Sequence, residues 1–335
     1  MSDDLQAPFP YFGGKSDIAD EVWRRFGNVP GYVEPFCGSA AVLLRRPAWH
    51  QPWGVETIND MDGMIANFWR SVQVDPKAVA HYADWPANQN DLHARHKWLV
   101  ARKDSLREHL ESDPGWHDAQ VAGWWVWGMC LWIGSGWCAG GNSRNLVHLG
   151  PGQGVHRKRV HLSNAGRGDD QCEASTEALV AWMRALCDRL RRVRVCCGDW
   201  TRVCGGQTGD ALSHFLCGGE PCGVFLDPPY SSEANRDNKV YVHEDLTVAH
   251  DVREWAIAHG DDTRLRIALC GYEGEHAMPS TWTKFAWKAQ GGMARLGADA
   301  ASQGKVNRHH ERVWFSPHCR TPDQTLFEVN DAPAL

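Results

Sequence analysis

Short apolar segments that end at polar or turn residues predict strands at several places in the chain. The clearest of these segments are rich in β-branched and aromatic side chains and cover residues 32–35, 54–58, 192–196, 223–226 and 265–269. Residues 312–315 and 325–329 have the same character and predict a terminal pair of strands. Helical patterns fall between the strands: Ala41 begins one, and Met64 and Phe68 lie one turn apart in another. This alternation predicts an α/β fold.

The character of the sequence changes between residues 75 and 185. Residues 92–110 are charged and have a helical pattern. Residues 121–133 form an apolar, tryptophan-rich helix that is too short and too interrupted by glycine to span a membrane. From Gly134 to about Gly168 the sequence is glycine-rich and irregular. We therefore predict a core of residues 1–74 and 186–335, with residues 75–185 inserted as a mainly helical, loop-rich region.

Composition argues against several classes of protein. The chain has 335 residues, of which 43% are hydrophobic, so it can bury a substantial core. Its formal net charge of −6 argues against a uniformly basic surface but allows a local basic patch. The first residues lack the pattern of a signal peptide and no long apolar stretch follows, so we expect a soluble, intracellular protein. The twelve cysteines contain no matching pair of C-x₂-C motifs, which favours free thiols over a structural zinc site.

The predicted strand at residues 223–226 ends at the tetrapeptide Asp227-Pro228-Pro229-Tyr230. Two prolines give a rigid turn whose carbonyls are free of competing N–H groups. An acidic side chain, a carbonyl and an aromatic ring then lie together at the carboxyl end of a strand, which is where open α/β sheets bind ligands. This cluster suits a planar base that carries an exocyclic amine. Taken alone, the same four residues are also compatible with a simple proline turn.

Three further segments are candidates for ligand binding. Tyr11-Phe12-Gly13-Gly14-Lys15 pairs two glycines, which let a ligand approach the backbone, with a lysine that can bind a carboxylate. Residues 34–40 form a strand-to-helix turn of small residues, whose helix N-terminus favours anionic or polar groups. Asp60 ends the next strand, at the position from which a carboxylate binds ribose hydroxyls in nucleotide-binding folds. Each segment has an ordinary alternative as a loop or a helix cap.

The order of these motifs resembles the Dam-like (alpha-class) family of DNA N6-adenine methyltransferases, including its phage-type members. The motifs in question are Tyr11–Lys15, Glu34–Gly38, Asn59–Asp60, Asp199–Trp200 and Asp227–Tyr230. The resemblance covers residues 8–70, 192–275 and, more loosely, 305–330. It implies a Rossmann-like S-adenosylmethionine-dependent methyltransferase fold in which residues 75–185 are an inserted target-recognition region.

The resemblance also implies roles for individual residues. The catalytic positions are Asp227, Pro228, Pro229 and Tyr230, with Asp227 accepting from the target amine and Tyr230 stacking on the flipped base. Asp60 would hold the cofactor's ribose, and Asp199 its adenine amine. The full set of implied cofactor positions is Tyr11, Gly13, Gly14, Lys15, Glu34, Pro35, Phe36, Gly38, Ser39, Asp60, Asp199, Trp200 and Asp227. One departure is Ala40, which replaces a glycine and is tolerated unless this position needs positive φ.

Two basic stretches are candidates for contact with DNA. The inserted region from residue 142 to residue 168 contains several basic residues and no acidic one, which favours phosphate contact in an otherwise acidic chain. A second stretch covers residues 303–312. The residues that we expect to bind DNA are Arg144, Asn145, Arg157, Lys158, Arg159, Arg167, Lys305 and Arg308.

These observations predict a site-specific DNA adenine-N6 methyltransferase that flips its target base and uses S-adenosylmethionine, leaving S-adenosylhomocysteine and requiring no metal. The expected partner is double-stranded DNA in the cytoplasm of a bacterial or phage-infected cell, without a membrane, and with the protein as a monomer or dimer. A role in restriction-modification is compatible with this prediction. Two alternatives stay open: a cytosine-N4 methyltransferase with the same tetrapeptide, and a non-catalytic protein that binds cofactor and DNA.

Overall fold

The structure is a computed structural model. It describes residues 5–11, 13–47, 54–86, 88–132, 137–138, 176–205, 211–229, 248–287 and 311–321.

The described residues contain a sheet of seven strands in the order β3-β2-β1-β4-β5-β7-β6. The strands are β1 (Gly31–Glu34), β2 (Val55–Asp60), β3 (Val193–Cys197), β4 (Cys222–Leu226), β5 (Leu265–Tyr272), β6 (Thr283–Ala286) and β7 (Glu311–Phe315). Strands β1 to β5 are parallel to one another, whereas β7 runs antiparallel to both β5 and β6. This mixed α/β architecture confirms the predicted fold class and is consistent with a Rossmann-like methyltransferase fold.

The strand order creates a switch point between β1 and β4. From β1 the chain adds β2 and β3 on one side, and β4 and β5 on the other. The carboxyl ends of these parallel strands share one edge of the sheet, and ligands bind at such an edge beside the switch point. We call it the carboxyl edge.

Helices cover the sheet and extend beyond it. They are α1 (Ser16–Phe26), α2 (Ala41–Leu44), α3 (Gly63–Val74), α4 (Pro76–Ala83), α5 (Gln89–Val100), α6 (Lys103–Ser112), α7 (Ala119–Leu131), α8 (Thr176–Leu190), α9 (Thr201–Cys204), α10 (Ala211–Gly218) and α11 (Val248–His259). The single helical stretch predicted over residues 92–110 is wrong in detail, because a turn at Ala101 and Arg102 separates α5 from α6. No helix in these ranges is long and apolar enough to cross a membrane.

The central strands β1 and β4 are buried on both faces, which explains the uninterrupted apolar sequence of β4. All five residues of β4 are buried. Successive side chains alternate between two cores, so that Phe225 packs on one face while Val224 and Leu226 pack on the other. Helices α1, α3, α7 and α8 supply the first core, and α9, α10 and α11 the second.

The strands near the end of the sequence agree only in part with the sequence prediction. Strand β6 was not predicted, because its residues are mostly exposed and its sequence has only one large aromatic side chain. The predicted strand at residues 312–315 is confirmed as β7, and its neighbours are β5 and β6. Its predicted partner, residues 325–329, lies outside the described residues.

The tryptophan-rich helix α7 belongs to the main core. It packs against α3 and α4, and the ring of Phe9 lies 4.9 Å from that of Trp125 and 5.2 Å from that of Phe68. Asn67 of α3 exchanges two hydrogen bonds of 2.9 Å with the backbone of Asp118, just before α7. Together these contacts fasten the predicted inserted region to the sheet. The division at residue 185 stays a prediction, and α8 runs across it.

A buried charge cluster fastens α8 to the sheet. Arg189 of α8 donates to both carboxylate oxygens of Glu56 in β2, at 2.7 and 2.8 Å, and to the carbonyl of Leu43 in α2 at 2.7 Å. Arg46 donates to the same carboxylate at 3.1 Å. Each of the three charged side chains is less than 8% exposed. Desolvated charges of this kind persist only when they are paired.

We predict that Glu56→Gln lowers the free energy of unfolding by about 3–5 kcal/mol, because it leaves Arg189 and Arg46 buried without their carboxylate. The matched control is Glu111→Gln, whose exposed ion pair with Arg202 should cost less than about 1 kcal/mol. Denaturant unfolding of both variants measures the difference. Equal losses in the two variants would contradict this account of the cluster.

Candidate active site

A buried lysine joins the N-terminal segment to the end of β4. The ammonium nitrogen of Lys15 lies 2.9 Å from Oδ2 of Asp227 and 3.9 Å from a carboxylate oxygen of Glu311, and it donates to the carbonyl of Gly13 at 2.7 Å. Lys15 is 4% exposed and Glu311 is 6% exposed. The side chain of Asp227 is 18% exposed, so this carboxylate is the most accessible charge of the three.

Local backbone geometry explains why these groups meet. Asp227 follows the last residue of β4 directly, at the carboxyl edge, and Pro228 after it is buried. Lys15 comes immediately before α1, which places it at the start of a helix rather than inside one. Gly13 has φ of 68°, a left-handed conformation that glycine adopts without strain, and this turn lets its carbonyl receive the Lys15 ammonium.

The glycine loop after β1 is held from three sides. The N–H of Gly38 donates to Oδ2 of Asp60 at 2.9 Å, and its carbonyl accepts from the indole of Trp69 at 3.0 Å. Gly38 has φ of 44°, and a Cβ atom built on it would lie 2.3 Å from the ring of Tyr11. Only glycine therefore fits between the Tyr11 ring and the loop.

Asp60 organises the loop and stays partly exposed. Its second oxygen accepts from the N–H of Asp62 at 2.9 Å, so both oxygens bind backbone. Burial raises the pKa of Asp60 to about 7, although the backbone N–H groups oppose the shift. Each carboxylate oxygen has two acceptor sites, so these bonds leave capacity for a ligand's hydroxyl groups.

Asn59, next to Asp60, links the ends of three strands. Its amide nitrogen donates to the carbonyl of Pro35 after β1 at 3.0 Å, and to that of Gly198 after β3 at 2.9 Å. The side chain is 1% exposed. This residue therefore fixes the spacing of the loops that carry Phe36, Asp60 and Asp199.

Two aromatic side chains, Phe36 and Trp200, lie on the loops that Asn59 joins. The rings of Phe36 and Trp200 have centroids 6.4 Å apart and planes tilted by 30°, and Trp200 also meets the edge of Trp255 at 6.2 Å. The neighbouring Asp199 is exposed, and its Oδ1 accepts from the N–H of Thr201 at 2.9 Å. Asp199 thus makes a local turn contact just before α9, and its role toward the cofactor's adenine amine stays a prediction.

Glu34, at the end of β1, is buried and faces the protein interior. It accepts from the hydroxyl of Tyr32 at 2.9 Å and is 2% exposed. Burial raises the pKa of Glu34 to about 8, and the nearby charge of Asp227 adds to the shift. The carboxyl is therefore largely protonated at neutral pH.

A cavity of about 260 Å³ opens beside the glycine loop. Tyr11, Gly14 and Ser39 line it, together with Phe9 and Arg45. Three predicted cofactor positions thus share one concave surface.

The structure brings most predicted cofactor positions to the carboxyl edge, in three groups. Lys15 meets Asp227, Gly38 meets both Tyr11 and Asp60, and Phe36 meets Trp200. Several predicted residues lie outside the described ranges, namely Tyr230 and the DNA-binding candidates Arg144, Asn145, Arg157, Lys158, Arg159, Arg167, Lys305 and Arg308. Their roles stay predictions.

Three residues that organise this edge were missed from the sequence: Glu311, Trp69 and, as a bridging group, Asn59. Glu311 stands just before the predicted strand at 312–315, but its place at the edge depends on β7 being antiparallel to β5, which pairs it with Tyr272. Trp69 directly follows Phe68 in the predicted helix, and nothing in the helical pattern indicates its hydrogen bond to the Gly38 loop. Asn59 was noted beside Asp60, and a polar residue directly after a buried strand was the available signal.

The described residues offer no group of three or more histidine, cysteine, aspartate or glutamate side chains that could hold a metal ion. Ten of the cysteines in these ranges are free thiols, as the sequence predicts for them.

Comparison with known families matches residues 11–112 to the D12 class N6 adenine-specific DNA methyltransferases. The matched segment begins at Tyr11, contains Lys15, Gly38 and Asp60, and continues through α4, α5 and α6. Asp227 lies beyond it. No curated protein matches the chain.

The backbone at Ala40 yields a prediction for stability. Ala40 has φ of 49°, so the position where the family has glycine does need positive φ. A left-handed alanine costs about 1–2 kcal/mol, which glycine would relieve. We expect Ala40→Gly to lower the free energy of unfolding by less than Ala41→Gly does. Ala41→Gly should lower it by about 0.5–1 kcal/mol, because glycine weakens the first turn of α2. Denaturant unfolding compares them, and a larger loss in Ala40→Gly would be the contrary result.

The raised pKa of Glu34 predicts a pH-dependent loss of stability. Between pH 4.5 and about 8 the folded protein keeps this proton while the unfolded chain releases it, so stability falls as pH rises. Glu34→Gln removes the titrating group. The variant should therefore gain stability relative to the wild type from pH 5 to pH 8, by at most about 1.4 kcal/mol per pH unit. Unfolding at several pH values measures this, and a constant difference would count against it.

Proposed function

We propose that the carboxyl edge is the active site of a DNA adenine-N6 methyltransferase that uses S-adenosylmethionine, because residues 11–112 match the D12 class N6 adenine-specific DNA methyltransferases. In this proposal Asp227, Pro228, Pro229 and Tyr230 receive the target adenine. The ends of β1, β2 and β3 bind the cofactor. The observation that carries the proposal is the ion pair of 2.9 Å between Lys15 and Asp227.

This ion pair suits a catalytic carboxylate. The ammonium keeps Asp227 ionised in a largely buried place, so the carboxylate can accept hydrogen bonds there. A carboxylate has about four acceptor sites, so it can bind Lys15 and the target amine together. The partial exposure of Asp227, compared with the burial of Lys15 and Glu311, supports its being the group that meets the substrate.

The chemistry follows from the target amine. Its lone pair is delocalised into the base, which makes it a poor nucleophile. Hydrogen bonds from the amine to Asp227 and to the Pro228 carbonyl favour a tetrahedral nitrogen, whose lone pair is then available for attack. S-adenosylmethionine supplies an electrophilic methyl group on a sulfonium centre. The protein's main contributions are then proximity and alignment.

The residues at the edge fit the cofactor's parts. The partly exposed carboxylate of Asp60 suits a ribose diol, and the Phe36–Trp200 pair suits the faces of an adenine ring. The loop at Gly38 presents backbone beside both. We assign the remaining cofactor positions, including Tyr11, Ser39 and Asp199, by the same proposal. The amino and carboxylate groups of the cofactor would face the cavity lined by Tyr11 and Ser39.

We also propose how DNA is bound. An adenine inside a duplex cannot reach a buried carboxylate, so the base must be flipped out at a cost of a few kcal/mol. Stacking on Tyr230 would offset about 1–3 kcal/mol of that cost. The basic residues of positions 144–167, with Lys305 and Arg308, would contact the phosphates of the double helix. We place this reaction in the cytoplasm of a bacterial or phage-infected cell, with the enzyme acting as a monomer or dimer and without a metal.

Two alternative functions would give a different result in a methylation assay. A cytosine-N4 methyltransferase would use the same carboxylate on another base, and the adenine-specific family disfavours it. A non-catalytic DNA-binding protein would have no need for an ionised carboxylate paired to a buried lysine at the edge.

We predict that Asp227→Asn lowers kcat by roughly 10²–10³-fold, because the neutral amide is a poorer acceptor for the target amine. Binding of S-adenosylhomocysteine and of DNA should change little. The matched control is Asp262→Asn, at the opposite end of the sheet beside the start of β5, which should keep full activity. Radiolabel transfer to DNA measures the rate, and equilibrium binding measures the two affinities. A fully active Asp227→Asn enzyme would refute the catalytic assignment.

A further inference from the structure

Lys15 has a second carboxylate beside it that the catalytic assignment leaves unused. Glu311 lies 3.9 Å from the Lys15 ammonium, compared with 2.9 Å for Asp227. Its side chain is 6% exposed, so it is nearly as buried as Lys15. Burying a carboxylate is costly unless it is paired, and the Lys15 ammonium is a cation within ion-pair distance.

The antiparallel strand brings Glu311 to the carboxyl edge. The five parallel strands end at this edge, whereas β7 begins there, and its first residue, Glu311, is paired with Tyr272 at the end of β5. Neighbouring Cys270 confirms the clustering of charge: burial raises the pKa of its thiol, and the charges of Asp227, Lys15 and Glu311 each act on it. These groups therefore surround the end of β5.

We propose that Glu311 is a positioning residue for methyl transfer, acting through Lys15. This inference rests on the proposed role of Asp227. The two carboxylates and the Gly13 carbonyl together fix the ammonium beside Oδ2 of Asp227. Glu311 also shares the positive charge of Lys15, so Asp227 stays a stronger acceptor for the hydrogens of the target amine than it would be in an isolated pair.

A purely structural role for Glu311 makes a different prediction. If the residue only stabilised the fold, its loss would lower the melting temperature and leave the kcat of the folded protein unchanged. A residue that acts through Lys15 has no target once Lys15 is gone. The two roles are therefore separated by a double-mutant cycle, which measures whether two losses add.

The experiment compares wild type, Lys15→Met, Glu311→Gln and the double variant. We expect Glu311→Gln to lower kcat about tenfold or more, with affinity for S-adenosylhomocysteine and melting temperature close to wild type, within about 3 °C. In the Lys15→Met background, Glu311→Gln should change kcat by no more than roughly twofold. Glu311→Asp, which keeps the charge, should recover part of the lost rate.

The matched control is Glu273→Gln. Glu273 follows β5 directly and pairs with exposed Lys284 and with Arg312, the residue after Glu311, so it tests the same substitution beside the site. Its kcat should equal that of wild type. Additive losses of kcat in the double variant would overturn the inference, as would a wild-type rate in Glu311→Gln.

The melting temperatures separate this inference from the proposed function. A wild type that transfers no methyl group to DNA would count against the proposed function. The same four proteins still test the inference without activity, because a Glu311→Gln loss in melting temperature well beyond about 3 °C is the mark of a purely structural residue. Such a loss would overturn the inference by itself.

Discussion

The organisation of the carboxyl edge depends on the buried ion pair between Lys15 and Asp227. It closes the N-terminal segment onto the end of β4, two parts of the chain separated by more than two hundred residues. The turn at Gly13 follows from this closure, and so does the position of the Tyr11 ring, against which only glycine fits at position 38. Buried ion pairs contribute little to stability in general, because desolvation offsets attraction. This pair is therefore better explained by what it does for the Asp227 carboxylate.

The rest of the edge is built from hydrogen bonds between side chains and loop backbone. Asn59 spans the loops after β1 and β3, Asp60 binds the N–H of Gly38, and Trp69 binds its carbonyl. Such contacts satisfy the polar backbone of loops that would otherwise be buried at a cost. They also fix the loops before any ligand arrives, which lowers the entropy that binding must overcome.

Much of this was predictable because strands and motifs are local. The five parallel strands are short and rich in apolar residues, and chemically distinctive carboxylates stand at the ends of two of them, Asp60 at β2 and Asp227 directly after β4. Features set by long-range pairing were not predictable. Glu311 reaches the edge only because β7 is antiparallel, and exposed β6 has little hydrophobic signal. The left-handed backbone of Ala40 and the turn contact between Asp199 and Thr201 depend on local geometry that residue type alone does not determine.

The central claim is that this edge methylates adenine N6. The most direct measurement incubates the full chain with unmethylated double-stranded DNA and labelled S-adenosylmethionine, then separates and identifies the nucleosides by mass spectrometry. The account predicts labelled N6-methyladenine, with its rate of formation strongly reduced when Asp227→Asn replaces the wild type. Labelled N4-methylcytosine would contradict the base assignment. Finding no labelled nucleoside, although the protein binds both S-adenosylhomocysteine and DNA, would contradict the claim of catalysis itself.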